Sequence, residues 1–421
     1  GVQAHRVHFV EAGFDVHVLR TSWGSTISGD RNPAAANGSS IQGGAGLPSF
    51  LQSTRDTTRA ALWIQDRIQI APRLRLEPGV RVDRSGFSGE TIASPRFGLN
   101  VELTPLTRVR AAVGRYTQSP GYEKLLQADY FVDLTASTSQ SLSSERSTHV
   151  LAALEHTFAP GLTGRIEGYY KHFDQMIVGR LETPDETAAR VAQYNFPVAL
   201  QSNVPTDPII TSFPVNGATG KAYGVDVYIE KKAMSASDRL SGWASYTFGR
   251  ALIDAYGREY PFDYDRRHAL SIVGTFGVTR RLDLSATWRV ASGFPNTPPI
   301  GVRVAPTLAP GAVDGAPGSL IPLRDAGDAL AWTADNGSAA NLNSGNYPTY
   351  ARLDVRVTFK PRSANGRWQV YVEMLNALDR KNVTTLQPQL DFDATSDRPT
   401  VSTSSDAGLP RLPSFGVRYR F

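Results

Sequence analysis

The chain has 421 residues, a net charge of +5, no cysteine, three methionines and a mean hydropathy of −0.27. Without cysteine there are no disulfides, thiolate metal sites or cysteine nucleophiles. No apolar run approaches the roughly eighteen residues of a membrane helix, and the arginines are spread along the chain rather than gathered into a nucleic-acid-binding arm.

In chain order, the dominant pattern is period-two alternation, which places one set of side chains on each face of a strand. Strands are predicted near 5–20, 58–70, 73–83, 94–103, 107–117, 146–158 and 162–174. Others follow near 219–232, 238–251, 266–278, 281–292, 350–360, 367–377 and 412–421. In 73–83, Leu74, Leu76, Val80 and Val82 oppose Arg73, Arg75, Glu77, Arg81 and Asp83. In 352–360, Leu353, Val355, Val357 and Phe359 oppose Arg352, Asp354, Arg356, Thr358 and Lys360. The C-terminus alternates Phe415, Val417, Tyr419 and Phe421 with Gly416, Arg418 and Arg420. About fourteen such strands, most near the length a tilted membrane strand needs, predict an all-β protein. Asp66 interrupts the apolar set Leu62, Ile64, Ile68 and Ile70, which predicts a bulge or local shift there.

Loop lengths carry the second signal. Short turns at 71–72, 104–106, 159–161, 233–237, 279–280 and 361–366 alternate with long polar loops near 21–57, 118–145, 175–218, 252–265, 293–349 and 378–411, and a shorter one at 84–93. This is the pattern of a transmembrane antiparallel up-and-down β-barrel, with short periplasmic turns and longer extracellular loops. The predicted location is therefore the bacterial outer membrane, with its lipid as a partner. Tyr116, Trp243, Tyr246, Trp288, Trp368 and Tyr419 are candidates for interfacial aromatic girdles, with ordinary strand packing as the alternative.

Several stretches resemble the barrel of TonB-dependent receptors. The strand Trp368-Gln-Val-Tyr-Val-Glu-Met-Leu375 runs into Asn376-Ala-Leu-Asp-Arg-Lys-Asn382, similar to the family's penultimate strand and its "N-L-x-D-x-x-Y"-like turn. Phe262-Asp-Tyr-Asp-Arg-Arg-His-Ala-Leu270, Gly114-Arg-Tyr-Thr-Gln-Ser-Pro120 and Trp63-Ile-Gln-Asp-Arg67 are similar to the family's strand-entry and strand-exit segments. The resemblance implies that Phe421 serves as a terminal aromatic signal for the barrel-assembly machinery. It also implies TonB-dependent uptake of a scarce nutrient, such as a siderophore or oligosaccharide, through a 22-strand barrel holding an N-terminal plug. No plug is recognisable in 1–421 and no leader at Gly1. The expectation is a barrel domain lacking plug and first strands, with the TonB complex as partner of the full-length protein. A passive pore of about fourteen strands is the alternative.

The mechanism that the resemblance implies is capture and gating without bond-making. Candidate ligand contacts are the aromatics Tyr122, Tyr130, Phe131, Tyr194, Trp332, Tyr347 and Tyr350, which offer large contact area at low entropy cost. Arg352 and Arg356 join them from a set of lumen-facing arginines that also includes Arg73, Arg75, Arg96, Arg165, Arg289, Arg418 and Arg420. The alternatives are loop self-packing for the aromatics and cross-strand charge ladders for the arginines. No histidine stands in a hydrolase or zinc motif, and no catalytic residue or cofactor is expected. His5 and His8, three apart, would point to opposite faces of one strand. Asp391, Asp393 and Asp397, or Asp263 and Asp265, lack the spacing of a calcium loop and read as solvated turn residues.

Overall fold

A computed structural model describes residues 1–26, 50–120, 142–235, 237–361, 367–393 and 395–419. The alternating segments pair edge to edge in one antiparallel meander. Its strands are β1 (Val2–His5), β2 (His8–Thr26), β3 (Phe50–Ala71), β4 (Leu74–Ser85), β5 (Thr91–Thr104), β6 (Thr107–Gln118), β7 (Glu145–Ala159) and β8 (Leu162–Leu181). They continue as β9 (Ile210–Lys231), β10 (Leu240–Ala255), β11 (His268–Gly277), β12 (Leu282–Ala291), β13 (Tyr350–Phe359), β14 (Trp368–Leu375) and β15 (Leu412–Tyr419). All fourteen sequence-predicted strands are present as β2–β15, and β1 adds a short hairpin arm. Each strand bonds to its sequence neighbours, the up-and-down order of a barrel wall.

Register converts alternation into two faces. Leu154, Ile166, Val227 and Tyr246 align across β7–β10. Phe276, Leu284, Val357, Val372 and Phe415 align across β11–β15. These side chains point outward, with Phe14 77% and Phe415 85% exposed. A contiguous apolar belt of this extent is incompatible with water, whereas lipid covers it at no cost. The ladders satisfy the backbone amides, as a wall in hydrocarbon requires.

The opposite face is polar and charge-paired. Arg75 meets Glu77 at 2.9 Å, Arg81 meets Asp83 at 2.9 Å and Asp15 at 3.2 Å, and Arg108 meets Glu102 at 3.2 Å. Flat aromatic rings cover glycines on this inner wall: Trp63 lies so close over Gly13 that a Cβ there would meet the ring at 2.7 Å.

Three expectations change. The Val10–Asp66 pairing passes in unbroken register, and the irregularity falls at Gln69/Ala71 instead. Asp66 stays on the outward face because His8 Nδ1 bonds its carboxylate at 2.6 Å. Tyr116 and Trp243 face the inner wall, paired with Ser147 and Glu230, so only Tyr246, Trp288, Trp368 and Tyr419 of the six girdle candidates point outward. His5 and His8 lie opposite each other across the Arg6–Val7 turn, with ring centroids 6.3 Å apart, because a hairpin separates them.

The two faces predict opposite responses to one charge. Val227→Arg, pointing outward, is expected to cost about 2–3 kcal/mol. Ser245→Arg, on the inner face beside Tyr228, should stay within about 1 kcal/mol, since luminal charge remains hydrated. Urea unfolding from lipid vesicles measures both, and equal costs would contradict the assignment of faces.

Candidate ligand-binding site

The long-loop end holds the structure that the period-two pattern could not show. Strands β8 and β9 run to 20 and 22 residues, well beyond the need of a membrane crossing. There Val178, Ala218, Ile253, Ala255 and Tyr260 form a small apolar core with Phe262 and Leu342. Helix α1 (Pro184–Ala192) starts at a capping box between Thr183 and Glu186. The 292–349 segment folds into nested two-stranded ladders, pairing 301–304 with 332–335 and 306–308 with 320–322. The 383–391 and 400–407 strands form a further hairpin.

Two of the family-like motifs turn out to be staples for these loops. Asn376 is fully buried with φ +48; its side-chain amide donates to the carbonyls of Arg380 and Leu409, and its backbone N–H donates to Asp354. The Asn382 side chain exchanges two hydrogen bonds with the Ala351 backbone. In the 262–270 motif, Asp265 is buried and accepts from the Ala251 N–H at 2.7 Å, while Asp263 accepts from Asn343 at 2.5 Å. Both aspartates therefore serve as loop anchors. Asp393 accepts from the Thr395 N–H at 2.9 Å, and the described residues contain no cluster of three or more metal-ligating side chains.

Below the stapled loops, the inner wall carries a cationic cluster. Tyr350 opens β13 opposite Ala291, and one step deeper Arg352 stands directly opposite Arg289. Like charges in directly opposed positions repel. Arg352 engages Asp354 at 2.8 Å, with Tyr350 two residues before it on the same face of the strand. Arg289 is exposed and has no ion pair among the described residues. Above them the Arg266 guanidinium lies 4.0 Å from the centre of the Phe294 ring. Burial pushes Arg266 below its usual range, and the neighbouring Tyr350 hydroxyl acts in the other direction. An unneutralised, partly desolvated cation of this kind gains from an incoming anion. Arg356, deeper still, is occupied by Glu373 at 2.9 Å and lies over Tyr371.

The predicted site residues therefore separate. Tyr350 and Arg352 join the cluster, and Tyr347 borders it through its N–H bond to the Phe294 carbonyl. Arg356 belongs to the charge ladder. Trp332 lies 5.9 Å from Arg398, which ties the last hairpin to the Val302 carbonyl. Tyr194 packs edge-on against Phe196 at 5.3 Å, remote in sequence and contact from Tyr350. Tyr122, Tyr130, Phe131 and Phe421 lie outside the described residues. Sequence reasoning missed Arg266 and Phe294; the Phe262–Leu270 motif held the first, and no local signal marked the second.

Helix α1, among the folded loops, is expected to respond to acid through Glu186. Arg180 and the Thr183 N–H both donate to Glu186 at 2.7 Å and hold its carboxyl at about 2. Because the folded-state value is depressed, the carboxylate stabilises the start of α1 above about pH 4.5, and that contribution is lost as pH falls through 2. Amide exchange of residues 184–193, corrected for intrinsic rates, should show constant protection from pH 7 to 5 and decline below that.

A polar-lined, lipid-belted antiparallel wall with folded loops on one side defines the class: an outer-membrane β-barrel. A family model for the TonB dependent receptor-like β-barrel matches residues 6–377, and the chain belongs to that family. No curated protein matches the sequence. Among solved structures it is similar to the siderophore receptor PirA from Acinetobacter baumannii, at 11% identity and TM-score 0.56, over 99% of this chain and 53% of that one. It is also similar to the ferric-catecholate import receptor Fiu from E. coli K12 (11% identity, TM-score 0.55, 97% and 52% covered). A third is the outer-membrane transporter YddB from Escherichia coli (14% identity, TM-score 0.51, 88% and 46% covered). The chain spans about half the length of these solved receptors. At such identities the likeness speaks for the fold alone.

Proposed function

We propose that the chain is the capture barrel of an energy-coupled outer-membrane receptor, and that its ligand is an anionic nutrient chelate of the siderophore class rather than a neutral oligosaccharide. The observation that carries this reading is the Arg266–Tyr350–Arg352–Arg289 cluster beneath the stapled loops, in which Arg266 and Arg289 have no carboxylate partner among the described residues. A ferric catecholate brings negative charge for the guanidinium groups and flat rings for Phe294 and Tyr350, and charge-assisted bonds of this kind are the strong ones. No covalent step is involved: the ligand binds, and passage follows when a plug domain, pulled by TonB, opens the lumen. In this reading residues 1–421 act as one barrel unit, with the plug and the TonB complex as partners of the full-length protein. Phe421 is then the signal through which the barrel-assembly machinery inserts it.

The test is calorimetric titration of the purified full-length protein with a ferric catecholate and, separately, with a neutral oligosaccharide. Tight binding of the chelate alone supports the reading, and preference for the sugar overturns it. Uptake of radiolabelled iron should cease in cells lacking TonB. Persistent uptake, together with a stable open conductance in planar bilayers, would favour a passive pore.

A further inference from the structure

The two ends of the barrel differ sharply in charge. Among the described residues, the short turns at 6–7, 72–73, 105–106, 160–161, 232–239, 278–281 and 360–367 hold eight lysines and arginines and one acid, Asp238. The described parts of the long loops, at 86–90, 119–120, 142–144, 182–209, 256–267, 292–349 and 376–411, hold seventeen acids and ten bases. Three of the turn cations, Arg239, Arg280 and Arg281, sit on the adjoining β9–β10 and β11–β12 turns, exposed and without an ion pair among the described residues. Arg6 and Arg367 extend the same arrangement around the rim.

Exposed apolar side chains lie immediately beside these cations. Met234 in the β9–β10 turn is 63% exposed, and Leu240 and Val278 are exposed at the adjoining strand ends. At the same end, Trp368 and Tyr419 pack at 4.8 Å on the outward face. This order, with apolar and amphipathic side chains at the strand ends and guanidinium groups one step beyond, matches the boundary between acyl chains and headgroups. The inner wall does not explain these arginines, because its own cations are largely paired with luminal acids.

We infer that the short-turn rim binds anionic phospholipid headgroups of the periplasmic leaflet, using Arg239, Arg280 and Arg281 on phosphate with Met234, Leu240 and Val278 against the upper acyl chains. Charge complementarity names this occupant: clustered basic residues just outside a membrane span attract anionic lipid over about a Debye length. The acidic loops at the other end make no comparable offer.

The experiment is native mass spectrometry of the full chain purified from outer membranes, with phosphatidylglycerol or phosphatidylethanolamine added. The unaltered protein should retain phosphatidylglycerol preferentially. The triple variant R239Q/R280Q/R281Q should lose that retention by about fivefold or more, while phosphatidylethanolamine stays unchanged. A matched variant at the loop end, R20Q/R84Q/R324Q, should behave like the unaltered protein. Equal retention of the two lipids by the unaltered protein overturns the inference, as does equal loss in both variants. If the rim instead serves an acidic protein partner, no lipid preference will be seen, which also overturns it.

Discussion

Replacing Arg190 by Met is expected to lower the free energy of local opening of the 182–209 loop by about 3–5 kcal/mol, because it strands a buried carboxylate. The Arg190 and Glu182 side chains are each 8% exposed, and Arg190 Nε donates to Glu182 at 2.8 Å. The remaining guanidinium hydrogens reach the carbonyls of Pro205 at 2.6 Å and Asp207 at 2.8 Å, while Glu182 also accepts from the Ile209 N–H. One ion pair therefore closes both ends of the loop on itself. The double variant Glu182→Gln with Arg190→Met should recover much of the loss, since no buried charge is then left unpaired. Hydrogen exchange of 182–209 in the folded barrel measures this, because a local loop opens without the wall unfolding. Unchanged protection in Arg190→Met would mean that the apolar contacts of the loop hold it without the pair.

The double change Arg289→Gln and Arg352→Gln should weaken binding of an anionic chelate by about a hundredfold, at roughly tenfold or more for each charge-assisted bond lost. Its diagnostic signature is the split between affinity and stability. Arg289 faces Arg352 directly across the strand pair, so neutralising Arg289 relieves a repulsion in the unliganded protein. Arg289→Gln alone is thus expected to leave the unfolding midpoint unchanged or raised while affinity falls about tenfold. Arg108→Gln, near the short-turn end and paired with Glu102, should leave affinity untouched. A parallel fall in affinity and stability for Arg289→Gln would mark that residue as wall rather than site. The first result concerns how the loops hold their shape, the second what they shelter, and neither depends on the other.

Much of this protein is legible in its sequence alone. Alternation in 73–83, 352–360 and 412–421 assigned Arg75, Arg352 and Arg418 to the wet face and Leu76, Leu353 and Val417 to the lipid face, and the register confirms each. Tyr116 and Trp243 were readable too: they share parity with Arg108 and Ser245, and their aromatic character alone suggested otherwise. The family-like Asn376–Asn382 segment was visible as a motif, but its role as a staple was not, because its partners Ala351 and Leu409 lie about thirty residues away in either direction.

The sequence by itself determined which residues form strands, which face each side chain takes and which end carries the long loops, because a strand's side-chain period and its local turn chemistry are properties of neighbouring residues. Only the tertiary structure decided how Arg266 comes to lie on Phe294, how Arg289 meets Arg352, and how residues 292–349 fold under no repeating pattern at all. Those contacts join chain segments with no shared period, and their energies arise only when the paired ladders bring the strand ends together.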